Sequence, residues 1–245
     1  MKRLLFFILT MALLVTLVAC KPNTPILPSG NDTTDDPDTP VVDPNSSYTV
    51  SLPAAGVQTD FVQFTMAGGA TFVIQLFPQY APATVANFKN LVAQGFYNGC
   101  TFHRIIEGFM IQGGAPLSEE SAAMLESITG EFSTNGFDQN QLAHVRGVIS
   151  MARSNHPDSA TSQFFIVHAT YPSLDGKYAA FGRVVAGMDT VDTIAELEVS
   201  AQRISGEMSN PVRVPVIESV CFVEYDASGL ADPVLIQQPG IETNP

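Results

Sequence analysis

The sequence predicts a mainly β domain, folded as a closed antiparallel barrel with two helices. Three observations lead there. Short apolar runs recur between residues 48 and 225, separated by turns bearing Gly, Asp and Ser. Only two stretches have apolar residues at helical spacing. So many short strands would leave many unpaired edges, and closing the sheet on itself removes them. This globular stretch of roughly 175 residues suits one domain with a single core.

The chain opens with Met1-Lys2-Arg3, an apolar run over residues 4–19, and Cys20. A short basic start before a mid-length apolar run reads as a secretory signal, short for a membrane span. Leu17-Val18-Ala19-Cys20 resembles the lipobox of bacterial lipoproteins. That resemblance implies a signal peptide over residues 1–19, cleavage before Cys20, lipidation of its thiol, and export to the cell envelope with a lipid anchor in a bacterial membrane. An ordinary signal peptide or single-pass anchor with an incidental Cys is the alternative. The lipidated form would carry 9 basic against 24 acidic residues and a charge of -15 in place of -13.

Residues 21–48 are rich in Pro, Asp, Asn, Thr and Ser, with Ile26-Leu27 and Val41-Val42 as isolated apolar pairs. Such a segment cannot bury enough surface to offset its ordering entropy, so 20–48 is expected to be a disordered tether behind the lipid. Fully extended it would reach on the order of 90 Å at ~3.1 Å per residue.

The domain is expected over residues 49–227. Phe61-Val62-Gln63-Phe64-Thr65 and Thr71-Phe72-Val73-Ile74-Gln75-Leu76, with Gly68-Gly69 between, read as a hairpin. Pro82 in a first turn, apolar residues at 85, 88, 91 and 92, and Gly95 just beyond predict a helix with a defined stop. Residues 115–146 show few strand patterns and are expected to cross the surface. Strands follow at 148–152, 162–167 and 180–185, with Leu174-Asp175-Gly176-Lys177 as a turn. Apolar positions 188, 191 and 194 give a short second helix, 214–225 a closing strand, and 228–245 a loose tail.

In Phe102-His103-Arg104-Ile105-Ile106-Glu107-Gly108-Phe109-Met110-Ile111-Gln112-Gly113-Gly114 a lone Arg stands among large apolar residues. Alternation predicts two short strands, with Phe102, Arg104 and Ile106 on one face. An Arg cannot shed its charge, so there it needs a partner, a ligand or an open cleft. A core carboxylate or snorkelling to the surface would satisfy it as well as a function would.

Four strings occur in order over roughly residues 60–225: this one, then Arg146-Gly147-x-Ile149-Ser150-Met151-Ala152, Ser162-Gln163-Phe164-Phe165-Ile166, and Leu174-Asp175-Gly176-Lys177-x-x-x-Phe181-Gly182. Together they resemble the cyclophilin family of peptidyl-prolyl cis–trans isomerases. The resemblance implies an eight-stranded closed antiparallel barrel capped by two helices, with the active groove on its outer surface. It implies Arg104 as the main catalytic residue, and a proline pocket of Phe109, Met110, Phe165 and Leu174. Gln112 would orient substrate and support the Arg, Ala152 and Arg153 would pair with the bound peptide, and Gln163 would line the groove. Tyr178 stands where eukaryotic members have a groove His. Those members also commonly carry Trp at the position of Ser173, and this chain has no Trp. These departures bear on inhibitor binding more than on catalysis. The implied substrates are proline-containing peptides and unfolded exported proteins, with no cofactor, and a monomer is expected.

His103, His144, His156 and His168 lack ligand-like spacing, so no metal site is expected. The acidic balance and lack of a basic patch argue against nucleic acid. Cys100 and Cys221 are read as free thiols, with a disulfide between them the alternative in an exported protein. A groove that grips proline segments without turnover, or a small-ligand carrier barrel, would be the competing functions; the Arg favours the enzyme over the first, and the ordered motifs disfavour the second.

Overall fold

The computed structural model describes residues 50–203 and 205–236. The signal peptide, Cys20, the whole tether and the end of the tail lie outside them. The strands are β1 (Val50–Ser51), β2 (Phe61–Met66), β3 (Thr71–Leu76), β4 (Phe102–Ile106), β5 (Met110–Gly113), β6 (Val148–Met151), β7 (Phe164–Val167), β8 (Ala180–Ala186), β9 (Val199–Ala201), β10 (Met208–Pro211), β11 (Ile217–Phe222) and β12 (Glu224–Tyr225). The helices are α1 (Pro82–Ala93), α2 (Glu119–Ala123) and α3 (Met188–Ala195).

Eight strands form one curled antiparallel sheet in the order β11-β2-β3-β8-β6-β7-β5-β4. It is a half-barrel: no continuous ladder joins its edge strands among the described residues. They meet at one end, where Thr101 bridges Val216 and the Ile217 amide donates to the Cys100 carbonyl at 2.8 Å. Two small pairs, β1–β12 and β9–β10, stand outside this sheet; the sequence pattern shows neither, because strands of two to four residues are too short for a period.

The sheet is apolar on both faces. Inward, Phe64, Phe72, Ile105, Ile111, Ile149, Phe164 and Ile166 form the core with Phe88 and Tyr97. Outward, Met110, Phe165, Val167, Val148 and Leu174 make a second cluster. The inner core is aromatic-rich: Phe64 stacks on Phe72 at 4.7 Å, and α1 places Phe88 edge-on to Phe164 at 6.0 Å.

Helix α1 starts without a local side-chain cap. Buried Glu131, from the 115–146 excursion, accepts instead from the Ala83 and Thr84 amides at 2.9 and 2.8 Å and from Thr84 Oγ1 at 2.7 Å. A carboxylate there satisfies orphan N–H groups and complements the helix dipole. The excursion is thus tied to α1 and not only laid across the surface.

The tail expected to be loose from Ser228 docks as far as Ile236: the Ala143 amide donates to the Val234 carbonyl at 3.0 Å and the Ile236 amide to the Gln141 carbonyl at 2.7 Å. Cys100 is a buried free thiol, its pKa pushed up to about 11 by burial. Cys221 packs partly buried beside Val73 and Val185, and the free-thiol reading is carried by Cys100 alone. The two do not pair with each other.

Candidate active site

One rung of the sheet builds the site. Arg104 pairs with Gln112, Gln112 with Phe165, and Phe165 with Ser150, across β4, β5, β7 and β6. Neighbouring strands lie about 4.8 Å apart, so these side chains stand side by side on the outer face. The expected face for Arg104 needs one correction. A bulge between Phe102 and Arg104 breaks the alternation. Phe102 therefore joins the inner core, while Arg104 and Ile106 turn outward.

The two glycines after Gln112 have a packing reason. A Cβ on Gly113 would lie 2.9 Å from the Phe102 ring, and one on Gly114, at φ +77°, 2.9 Å from the ring of Phe164. Only glycine lets the chain pass so close to the core rings.

An open pocket of about 190 Å³ is lined by Arg104, Phe109, Met110, Gln112, Ala152, Arg153, Phe165, Leu174 and Tyr178. The structure thus brings together every groove residue expected from sequence except Gln163. That residue stands behind the lining, its Oε1 accepting from Gln112 Nε2 at 3.0 Å. Met110, Phe165 and Leu174 form a nearly buried floor. Phe165 is wedged between Tyr178, edge-on at 5.6 Å, and the His144 ring, stacked at 6.1 Å. His144 is held from behind by Asp175 Oδ1 at 2.9 Å and Ser150 Oγ at 3.1 Å. The Arg153 guanidinium lies over Tyr178 at 4.7 Å and Phe132 at 5.1 Å, so its stem and charge form the far wall. Ser173 lies on an exposed 3₁₀ turn over Pro172–Leu174.

Arg104 is 27% exposed and has a partner that the sequence does not announce. Its Nε and Nη2 donate to Glu207 Oε2 and Oε1 at 2.7 and 2.8 Å. Nη1 is left with two long contacts, Gln112 Oε1 at 3.5 Å and Met110 Sδ at 3.6 Å, on the pocket side. The Arg104 hydrogen bonds hold the Glu207 carboxyl down at about 2, helped by Ser209. Burial lowers the pKa of neighbouring His103, favouring its neutral form. Nothing in the local pattern marks Glu207; it comes from a hairpin distant in sequence. Among the described residues no three His, Cys, Asp or Glu side chains are grouped to hold a metal.

The arrangement offers an apolar floor sized for a small ring, an amide-bearing side chain, and a guanidinium with one free edge. Among the described residues its lining holds no Ser, Thr or Cys, and the Ser150–His144–Asp175 hydrogen bonds lie buried behind Phe165, closed to a substrate. The family described as cyclophilin type peptidyl-prolyl cis-trans isomerase/CLD matches residues 61–220. The chain belongs to this family. Peptidyl-prolyl cis-trans isomerase A of Dickeya dadantii is 40% identical over 176 residues, covering 70% of this chain and 88% of the relative. Peptidyl-prolyl cis-trans isomerase B of Bacillus subtilis is 38% identical over 144 residues, 58% of this chain and 96% of the relative. Among solved structures, a Cryptosporidium parvum cyclophilin crystallised in the presence of the dipeptide Ala-Pro superposes with a TM-score of 0.54 at 27% identity, covering 66% of this chain and 98% of that one. The chain is accordingly an isomerase of the peptidyl-prolyl class.

Proposed function

We propose that this chain isomerises X–Pro bonds of exported proteins while tethered to a membrane through a lipid on Cys20. The free Nη1 edge of Arg104, set beside Gln112 on the rim of an apolar pocket, carries the catalytic part of this reading. Rotation about the X–Pro amide faces a barrier of ~18–20 kcal/mol because the nitrogen lone pair conjugates with the carbonyl. As the amide twists, that lone pair localises and can accept a hydrogen bond it could not accept in either planar state. A guanidinium N–H placed there binds the twisted amide more strongly than the ground states, which is what lowers a barrier. Phe109, Met110, Phe165 and Leu174 would seat the proline ring, and Gln112 would hold the flanking carbonyl. The Ala152 and Arg153 backbone would pair with the peptide, with Gln163 and Tyr178 completing the groove. No bond is made or broken, so no cofactor is required. The same reading takes the curled sheet as a closed barrel, supported by the hydrogen bonds where its edges meet, and the protein as a monomer without nucleic-acid partners.

The purified full-length chain is expected to accelerate cis–trans exchange in X–Pro peptides, followed by a protease-coupled assay. Binding of such peptides with no acceleration would leave a gripping module in place of an enzyme. The tether reading rests on the lipobox and the acidic linker, both outside the described residues. Cys20→Ala is expected to release the protein from membranes or leave its signal uncleaved. Intact mass of the membrane-extracted chain checks this: a mature Cys20 that is unmodified or disulfide-linked rejects the lipid anchor.

A further inference from the structure

The geometry points to Glu207 as a positioning residue: we propose that it fixes the Arg104 guanidinium so that the Nη1 edge, and not the Nε edge, faces the proline pocket. This rests on the reading of Arg104 as the catalytic group. An Arg side chain has several rotatable bonds and five N–H donors in a planar fork, so its charge alone does not decide which edge a substrate meets. A bidentate carboxylate does decide it, because both oxygens must lie in the guanidinium plane. Here the fork occupies Nε and Nη2, at 2.7 and 2.8 Å.

Glu207 is itself held. Ser209 Oγ donates to its Oε2 at 2.9 Å, and Gln202 Nε2 donates to Ser209 Oγ at 2.8 Å. The Gln202 amide donates to the Glu207 carbonyl at 2.8 Å, which closes the turn between β9 and β10. Strand β10 packs against β4, the strand of Arg104. The hairpin thus brings a braced carboxylate to the back of the guanidinium while Gln112 and Met110 lie at its front. Many surface ion pairs do nothing measurable; a bidentate pair with its own supports is the geometry in which one does. A group set in place before substrate arrives costs no reorganisation during the reaction.

A carboxylate there has a competing consequence, since it also neutralises the guanidinium and blocks two of its donors. Positioning and obstruction predict opposite signs. Exchange spectroscopy on full-length Glu207→Ala should show kcat down about tenfold with KM within about twofold, because only the oriented, transition-state contact is lost. Glu207→Asp should recover part of kcat. In an Arg104→Ala background the same Glu207→Ala change should have no further effect, and the thermal midpoint should be unmoved. The Arg104 Nε–H resonance should be protected from solvent exchange in the wild type and lose that protection in Glu207→Ala. Unchanged or higher kcat/KM in Glu207→Ala, with Arg104→Ala inactive, overturns the positioning role and leaves the catalytic reading standing. An equal loss in both backgrounds makes Glu207 structural and overturns it too. Near-wild-type turnover in Arg104→Ala removes the catalytic reading beneath it.

Discussion

Arg104 and Arg183 pose the same problem in sequence and meet different ends in the fold. Each is a lone Arg on a strand among large apolar residues. Arg183, on β8, is 7% exposed and lies under the docked tail. Its Nη1 donates to the Asp232 carbonyl at 3.2 Å, its Nη2 donates to the Ala231 carbonyl, and its Cζ lies 5.8 Å from the centroid of the Phe77 ring. Burial pulls its pKa below the ordinary arginine value, with Asp232 opposing. The cavity beside it, about 10 Å³, has room for no more than one water. Arg104 instead gives one edge to a carboxylate and keeps another open toward a pocket of about 190 Å³. A charged side chain in apolar surroundings does not identify a site. A charged side chain with donors left over, facing space, does.

The largest expected effect separates the two. Arg104→Ala should lower kcat/KM at least tenfold, about 1.4 kcal/mol or more of transition-state stabilisation, with the melting temperature nearly unchanged. Arg183→Ala should do the reverse. It strands the tail carbonyls and opens a gap over Phe77, for a stability loss of about 1–3 kcal/mol, or several degrees in Tm. Its kcat/KM should stay within about twofold, because no part of Arg183 reaches the pocket. Thermal melts and coupled assays on the two variants check this. Comparable losses of activity in both would erase the distinction.

Most of the domain's fold was legible because its strands and helices carry strong local signals. The hairpin of β2 and β3, helix α1 with Pro82 and Gly95, and the strands around Ile149, Phe165 and Phe181 are where periodicity and turn residues put them. Legibility failed where the cause was distant. The bulge at His103 moves Phe102 to the opposite face from Arg104, and no spacing rule shows a bulge. Glu131 caps a helix that begins nearly fifty residues earlier, and Glu207 reaches Arg104 across 103 residues of chain. The groove lining was legible for a different reason. Phe164-Phe165-Ile166-Val167 is buried at every position, so one sheet face is the core and the other must be covered or used. Resemblance, not periodicity, indicated which.

The smallest effect sharpens the comparison by titration. Among the described residues Arg183 forms no ion pair with a carboxylate side chain, its donors going to backbone carbonyls and Asp232 acting only as a nearby charge, whereas Arg104 holds the Glu207 carboxyl at about 2, below its ordinary 4.5. A carboxyl whose pKa is depressed on folding adds stability that is fully present above its unfolded value. That stability fades as pH falls through the folded value. The contribution of this pair should therefore be complete above about pH 4.5 and disappear between there and pH 2. Both side chains are partly exposed, so solvent and salt shrink it well below what the shift alone implies. The sharper observable is the carboxyl itself. Carbon-detected NMR should show Glu207 titrating near pH 2 in the wild type and in Arg183→Ala, and moving up toward 4.5 in Arg104→Ala. A Glu207 that already titrates near 4.5 in the wild type would mean that the fork does not persist in solution. The orientation of Arg104 would then have to come from Gln112 alone.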